Sequence, residues 1–576
     1  MKNIKRKLMA AVMSTIMLFS VSSCDLFDTD INTDPNNPTE AALDLLLANV
    51  MLNASSTFAG NLNDATQGFM AINTSFDDFN MTNGSWNNTW NYLYSNPLAD
   101  LEKIILATEE AGNNPHYLGV AQVLKAYYFS IMVDLWGDVP YNEAFSGDAG
   151  NKLPAYTDDA EIYADLIQLT RDAEANFALT SAVDVNGDLI YGGDIDQWIT
   201  VAKTLRLRLL LQTSTVNSSN ASEINSLYND GDLILSSTDD FTFQFGRLQN
   251  PDDRHPMYQD GYASGEAAYS YFGHQLMVEM LENRDPRTPF YFKRQTTVIL
   301  NPDDPSDKQT IPCSQRTDCT YGYLVSNNAM TNRIYGKDAS SLTDAEADYL
   351  AGFFGRDRSD PSGIPNDNLL RTTVGAYPAA GLFDDVAETA GDNQGAGNGI
   401  FPMISSWMTY FYMLEAQIRL TGVNTGMTDA ELLEAALTAQ MDKVLEIGQI
   451  TGGTNAGDVA NWGTNYSWPV TYTDPTTYIA NIVAGYPSGG TTNQKLQYVM
   501  KQAWYANFGN GFEIYNAFRR TGYPADLQTP LQRPRQFALR LPYAQTELNL
   551  NGSNTPSVTY DSPGDAIFWD VVKFQF

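Results

Sequence analysis

Residues 118–141 read Leu-Gly-Val-Ala-Gln-Val-Leu-Lys-Ala-Tyr-Tyr-Phe-Ser-Ile-Met-Val-Asp-Leu-Trp-Gly-Asp-Val-Pro-Tyr. Before Asp134 only Lys125 carries a charge, and apolar side chains fall on more than one helical face. That pattern predicts a central buried helix over Leu118–Leu135 rather than an amphipathic surface one. Gly137 and Pro140 end it, because glycine accepts the conformation that closes a helix and proline cannot continue one. The helical period recurs on both sides. Glu40–Met51 carries Leu43, Leu46, Leu47 and Val50, with Thr39 as an acceptable N-cap, and Tyr92–Ala111 carries Leu98, Leu101, Ile104 and Ile105. Further helices are expected at Asp159–Phe177, Trp198–Ser214, Ser405–Leu420, Asp429–Ile447 and Asn493–Phe508. Short β-type runs stand at Phe241–Phe245 and Phe568–Phe574. The stretches 246–270, 300–340, 355–400 and 451–492 are polar and aperiodic, and loops of that length are uncommon without a function. The expected fold class is mostly α, with paired helices of similar length carrying long irregular loop insertions. No linker separates halves of different composition, so 40–576 reads as a single domain.

Charge narrows the function. Of 576 residues, 34 are Lys or Arg and 68 are Asp or Glu, a formal charge of −34. Such a chain repels phosphate backbones, which excludes nucleic acid as a partner. Three histidines and three cysteines exclude a multi-His or multi-Cys metal centre, and no metal or other cofactor is expected. No Gly-x-Ser-x-Gly or His-Glu-x-x-His string occurs, and His116, His255 and His274 lack a triad context, so they read as surface or core residues. A glycoside hydrolase would need two carboxylates at a set separation, which sequence cannot pick out of 68 acids. The alternating Val572, Phe574 and Phe576 would suit the end of an outer-membrane barrel, but the helical periodicities argue against one.

The N-terminus has its own logic. Lys2, Lys5, Arg6 and Lys7 precede the uncharged run Leu8–Val21, which is too short to span a bilayer. Val21-Ser22-Ser23-Cys24 resembles a bacterial lipobox, with Val21 in place of the commoner Leu. Residues 1–23 are therefore expected to be a lipoprotein signal peptide and Cys24 the lipid anchor, the only attachment to a membrane. Loss of four positive charges takes the mature chain from −34 to −38. Residues 24–39, rich in Asp, Asn and Pro, read as an extended tether. Export makes a disulfide between Cys313 and Cys319 possible; two free thiols are the alternative. Asp184, Asn186 and Asp188 match the first ligands of an EF-hand, but Leu189 replaces the glycine and Ile195 the closing glutamate, so the match fails. Structural calcium elsewhere is left open, with no site assigned.

Ordered strings along the chain carry a resemblance. They are Asp30-Ile31-Asn32-Thr33-Asp34-Pro35-Asn36; Ala126-Tyr127-Tyr128-Phe129; Asp134-Leu135-Trp136-Gly137-Asp138-Val139-Pro140-Tyr141; and Tyr191-Gly192-Gly193. Trp198, Leu205-Arg206-Leu207-Arg208, Arg284-Asp285-Pro286-Arg287, Arg519-Arg520-Thr521-Gly522-Tyr523-Pro524, Arg540-Leu541-Pro542-Tyr543 and Trp569-Asp570 follow. Together they resemble the SusD/RagB family of Bacteroidetes outer-membrane lipoproteins over nearly the whole length. The resemblance implies a SusD-like fold with tetratricopeptide-like helix pairs and a cell-surface glycan-binding role without enzymatic activity. It implies delivery of oligosaccharide to a SusC-like TonB-dependent transporter. A peptide ligand is the alternative within the same import system, and a secreted glycoside hydrolase a more distant one. By their charge the residues themselves favour a neutral oligosaccharide over an acidic one. Arg519 and Arg520, rare cations here, are expected to pair with carboxylates inside the fold.

A neutral-glycan site needs aromatic faces beside amides or carboxylates. Ser85-Trp86-Asn87-Asn88-Thr89-Trp90 has that composition, and the family often places ligand aromatics in this region, so Trp86 and Asn88 are the first candidates. Trp90, at helical spacing to Leu93 and Tyr94, reads as packing. Trp462, Tyr466, Trp468 and Tyr472 form a second set, either one exposed face or pins that fasten the loop; Trp462 and Trp468 are the candidates there. Tyr258, Tyr262, Tyr269 and Tyr271 form a third, with Tyr262 the candidate.

Overall fold

Helices account for most of the described residues. In chain order those used below are α1 (Leu43–Thr57), α2 (Asn63–Phe69), α3 (Asn87–Ser95), α4 (Pro97–Ala111), α5 (Pro115–Trp136), α6 (Asp159–Phe177), α7 (Ile195–Thr213), α8 (Asn220–Asp230), α9 (Ser406–Arg419), α10 (Asp429–Ile450), α11 (Thr492–Ala506) and α12 (Gly511–Thr521). The computed structural model describes residues 42–75, 77–147, 149–263, 271–294, 333–350, 353, 355–360, 372–384, 395–450, 472–532 and 536–576. The expected signal peptide and tether, with Cys24, lie outside the described residues, as do Tyr269, Cys313, Cys319, Trp462, Tyr466 and Trp468.

The central helix is α5. Pro115 starts it and Gly137, at φ 73°, stops it. It is long and apolar enough to cross a membrane, but 89% of that apolar window is buried inside the fold, so it is a core helix. Gly119 lets α6 approach closely: a Cβ there would stand 2.5 Å from the Phe177 ring. Successive helices pack side by side, α1 on α4, α4 on α5, α5 on α6, α6 on α7 and α7 on α8. A second group, α9 with α10 and α11, packs behind them, and α12 closes onto α2. One continuous apolar cluster runs from Leu47 in α1 to Trp569 near the end of the chain.

Among the described residues, sheet consists of two-stranded antiparallel ladders: β1 (Asn73–Thr74) with β5 (Tyr271–Phe272), β2 (Val139–Pro140) with β3 (Tyr156–Thr157), β4 (Phe241–Gln244) with β8 (Ile400–Ile404), and β6 (Phe292–Lys293) with β7 (Thr373–Val374). The expected run at Phe241 is thus a strand, with Phe243 opposite Phe401. Three expectations need correction. Tyr92–Ala111 is two helices, because Pro97 drives Asn96 out of the helical region, to φ −126° and ψ −88°. Phe568–Phe574 is not a strand. Asp570 accepts the Lys573 amide at 2.8 Å and Lys573 sits at φ 46°, so the backbone turns while Phe574 and Phe576 pack on the Phe537 ring. The polar stretch 451–492 contains a helix at Pro475–Ala484, capped by Asp474.

The buried cations form a polar hub inside this core. On Asp134 of α5, Oδ1 accepts from the Trp569 indole at 3.1 Å and from the Tyr163 hydroxyl, and Oδ2 accepts from Asn516 at 2.7 Å. Arg208 bridges Asp134 at 3.4 Å and Glu513 at 2.6 Å. Burial pushes the Asp134 carboxyl up, and Arg208 pulls it back. Arg520 pairs with Glu415, as expected for a buried cation in an acidic chain. Among the described residues, Arg519 forms no ion pair with a carboxylate. It donates to the carbonyls of Leu539 at 2.8 Å and Asp134 at 2.7 Å, and stacks on Tyr515 and Trp569. Its planar fork suits carbonyl oxygens that no helix or ladder satisfies.

Candidate functional site

Between α1 and α2 the helical backbone loosens into a π-turn, Phe58–Leu62, with Gly60 out of the helical region at ψ −127°. A second π-turn, Gln259–Ala263, follows the short helix Pro256–Tyr258. Such turns are frequent at functional sites, because the widened backbone re-aims side chains. Here both border one cavity of about 350 Å³. The β1–β5 ladder, with Asn73 opposite Phe272, and β7 supply the remaining walls. Its polar lining is Asn61, Asp64, Gln67, Asn73, Ser75 and Asp260, with Thr372 and Thr373; Met257, Tyr271, Phe272 and Val374 supply apolar surface.

The elements that carry these groups are held from behind. The Asn63 amide donates to the Gly509 carbonyl at 3.0 Å, and its oxygen accepts the Gly511 amide at 2.7 Å. Gln67 Oε1 accepts the Gly509 amide at 3.4 Å. These bonds fix α2 to the start of α12 and leave Asp64 facing the cavity. Asp78 accepts the Ser75 amide at 2.7 Å and the Thr74 and Ser359 hydroxyls at 2.6 and 3.0 Å, which anchors the turn after β1. His255 accepts the Met257 amide at 3.1 Å and so caps the turn leading to Asp260. Its burial lowers it to about 3, so it is a neutral cap.

Asp64 is the electrostatic centre. Water reaches it through the cavity, yet protein surrounds it on the other sides. That desolvation, with the charges of Asp260 and Asp78, pushes its carboxyl up to about 7, against a stabilising bond from the Asn73 amide. The folded state therefore holds a proton here between about pH 4 and 7 that the unfolded chain has released. This makes the Asp64 contribution to stability fall as pH rises through that window. Asp64→Asn is expected to flatten that slope. Thermal midpoints compared between pH 4 and 8 for parent and variant measure it, and parallel curves would contradict it.

The sequence candidates end up elsewhere. Trp86 is only 6% exposed and stands edge-to-face on Trp136, as Trp90 also does. Trp86 is thus corrected from an exposed sugar platform to a packing residue over the end of α5; Asn88 is exposed on α3. Tyr262 is also corrected, being 2% exposed. Its hydroxyl donates to the Val374 carbonyl at 2.6 Å and accepts the Leu382 amide at 3.0 Å, while its ring stacks on Tyr258. It fastens the cavity wall without offering a face to the cavity. Tyr271 does line the cavity. Tyr472 is buried against Tyr349. Asp188, considered for calcium, accepts the amides of Ile190, Tyr191 and Gly193 and the Trp198 indole, so its lone pairs are spent on a turn. Asp138, Asp158 and Asp159 lie together, but each already serves backbone: Asp158 caps α6, Asp138 takes the Asp159 amide, and Asp159 takes the Phe568 amide.

Sequence reading missed the cavity residues because they are ordinary Asn, Asp, Gln and Ser. The available signal was Gly60 interrupting the apolar period that runs from Leu43 to Phe69.

Residues 35–307 match a family described as starch-binding and associating with the outer membrane. Residues 405–566 match the family described as SusD and RagB outer membrane lipoprotein. The chain belongs to the SusD/RagB family. This SusD-like protein is similar in structure to a SusD homologue from Bacteroides fragilis, at 18% identity and TM-score 0.62, covering 92% of this chain and 99% of that one. A SusD/RagB family protein from Bacteroides thetaiotaomicron gives 19%, 0.64, 92% and 99%. A chitin-binding SusD homologue from Flavobacterium johnsoniae gives 19%, 0.60, 92% and 98%. At these identities the likeness establishes the fold, a helical SusD fold with tetratricopeptide-like pairs. No curated protein matches the chain. Family membership makes the SusD-like protein a lipid-anchored protein of the outer membrane and one of a class of nutrient-binding proteins.

Proposed function

We propose that this SusD-like protein captures oligosaccharide at the cell surface in the cavity between the two π-turns and passes it to a SusC-like TonB-dependent transporter. The observation that carries this reading is the lining itself. Asn61, Gln67 and Asn73 amides, with Ser75 and two threonines, stand beside Met257, Tyr271 and Phe272. Sugars present the matching alternation of hydroxyl edges and apolar C–H faces. The chitin-binding relative supports a glycan over a peptide. The 40–576 body acts as one unit in this reading, tethered through residues 24–39 to the lipid on Cys24.

Asn61 is exposed at the cavity mouth on the first π-turn. Asn61→Trp, which adds bulk there, is expected to weaken oligosaccharide binding by at least about tenfold, or 1.4 kcal/mol, in affinity gels or calorimetry, with an unchanged thermal midpoint. Unchanged affinity would remove the cavity from the site. One observation favours a second reading. A carboxyl raised to about 7 beside a second carboxylate is also how a glycoside hydrolase holds its acid. Release of reducing sugar, lost in Asp64→Asn, would establish hydrolysis; retention of intact oligosaccharide favours capture.

A further inference from the structure

A second recess lies where residues 235–237, α9 and α10 meet. It is a groove of about 580 Å³. Its three walls are tied together at one residue. Asp240, just past the loop, accepts the Ser406 amide that begins α9 at 2.7 Å and pairs with Lys443 of α10 at 3.3 Å. The loop is itself fixed, since the Asp239 amide donates to the Ser236 carbonyl at 3.0 Å. The groove is therefore formed before any ligand arrives.

Its floor is the Tyr410 ring of α9. Ala435 and Ala439, one turn apart on α10, line the same groove and are too small to cover that ring. Tyr410 stays half-buried, with its hydroxyl donating to the Leu235 carbonyl at 3.3 Å. Among the described residues no other ring and no cation stacks on it. Trp86 and Tyr262, by contrast, lie against Trp136 and Tyr258. Around the Tyr410 ring stand the exposed hydroxyls of Ser236, Ser237 and Thr438 and the exposed carboxylates of Glu434 and Asp442. Neither of these carboxylates makes an ion pair or hydrogen bond among the described residues. Partial burial alone pushes the Asp442 carboxyl up. The third acid on the rim, Glu431, is spent on the Thr428 amide and hydroxyl.

We propose that this groove is a second oligosaccharide site, separate from the cavity, in which a neutral pyranose ring stacks on Tyr410 and its hydroxyls donate to Glu434 and Asp442. This rests on the reading that the protein captures oligosaccharide, and not on which recess does so. The apolar face of a sugar matches an uncovered tyrosine ring. Carboxylates without a cation are strong acceptors for sugar hydroxyls. The small side chains that leave the ring open give no deep apolar pocket for the anchors of a docking helix.

Equilibrium dialysis of the full mature protein against labelled maltohexaose and labelled N-acetylchitohexaose, taken to saturation, counts the sugars bound per chain. The expected count is two with at least one of these probes. Thr438→Arg is the blocking variant. An arginine there lies four residues from both Glu434 and Asp442 on one helix face, pairs with them and covers the ring. It should lower the count to one at an unchanged thermal midpoint. Asn61→Trp should also lower it to one, and the two changes together to zero. Tyr410→Phe, which keeps the ring and loses the bond to Leu235, should still bind two. A count of one in the parent, lost in Asn61→Trp and kept in Thr438→Arg, overturns the second site and leaves capture in the cavity standing. The opposite pattern keeps the groove as a sugar site and removes the cavity. Loss of all binding in Thr438→Arg alone overturns the separateness of the two sites. Absence of binding for both sugars overturns glycan capture and this inference with it. Binding of hexalysine that is lost in Thr438→Arg, with no sugar held there, would make the groove a cationic-peptide site and would also overturn it.

Discussion

Asp134→Ala should destabilise the SusD-like protein by about 3–5 kcal/mol, because it leaves buried donors and a buried cation without their acceptor. The carboxylate gathers four donors from four places in the chain: Tyr163 of α6, Arg208 of α7, Asn516 of α12 and Trp569 of the tail. Alanine removes all four bonds at once and turns Arg208 from a cation bridging two carboxylates into one held by Glu513 and the Ser130 hydroxyl. The cost exceeds that of an ordinary hydrogen bond because the donors are too deeply buried to be re-solvated. Asp134→Asn separates charge from hydrogen bonding. It keeps one acceptor for Trp569 and Tyr163, but points an N–H₂ at Asn516 and Arg208, so it should also lose stability. Urea midpoints for the two variants measure this. A loss below about 1 kcal/mol for alanine would mean that the hub contributes little net stability.

The same hub explains what was legible in the sequence. The strings that carried the family resemblance look unrelated along the chain: Asp134-Leu135-Trp136, Arg206 to Arg208, Arg519 with Arg520, Arg540-Leu541-Pro542, and Trp569. In the fold they converge. Leu541 donates its amide to the Leu135 carbonyl at 2.6 Å, Trp136 donates to the Pro542 carbonyl at 3.1 Å, and Arg519 stacks on Trp569. Long helices were readable because burial imposes a period on the sequence; Asp159–Phe177 came out with its observed ends. The short helices were not: α2 is polar and is held by tertiary bonds rather than by its own pattern, and α12 buries Phe512, Ile514, Tyr515 and Phe518 within only eleven residues. Two of the aromatic candidates, Trp86 and Tyr262, turn out buried for a related reason. Composition shows that Trp86 and Tyr262 can stack on something, not whether the partner is a sugar or Trp136 and Tyr258. The cavity was illegible because a lining is assembled from turns more than 300 residues apart, as Asn61 and Thr372 are.

Gly511→Val should act on both stability and binding, and so tests whether the site depends on the packing behind it. At Gly511 the first turn of α12 lies directly on α2. An added Cβ would meet the Thr66 hydroxyl, the Gln67 amide nitrogen at 2.5 Å and the Asn63 carbonyl at 2.9 Å. Two of those three atoms are backbone, so no rotamer change relieves the clash, and the helices must separate. Overpacking of this kind costs about 1–3 kcal/mol, and a branched side chain lies toward the upper end. The separation would also lengthen the bond from Gly511 to Asn63, which with the bonds to Gly509 sets the position of α2. Asp64 and Gln67 ride on that helix, so oligosaccharide affinity should fall by about tenfold or more in protein that is still folded. Gly522→Ala supplies the control. It closes the same helix at φ 78°, where a Cβ meets only a Val572 methyl at 3.5 Å, so it strains the backbone without touching α2. It should lose stability but keep its affinity. Loss of affinity in both variants would tie binding to global stability; loss in Gly511→Val alone would tie it to the placement of α2.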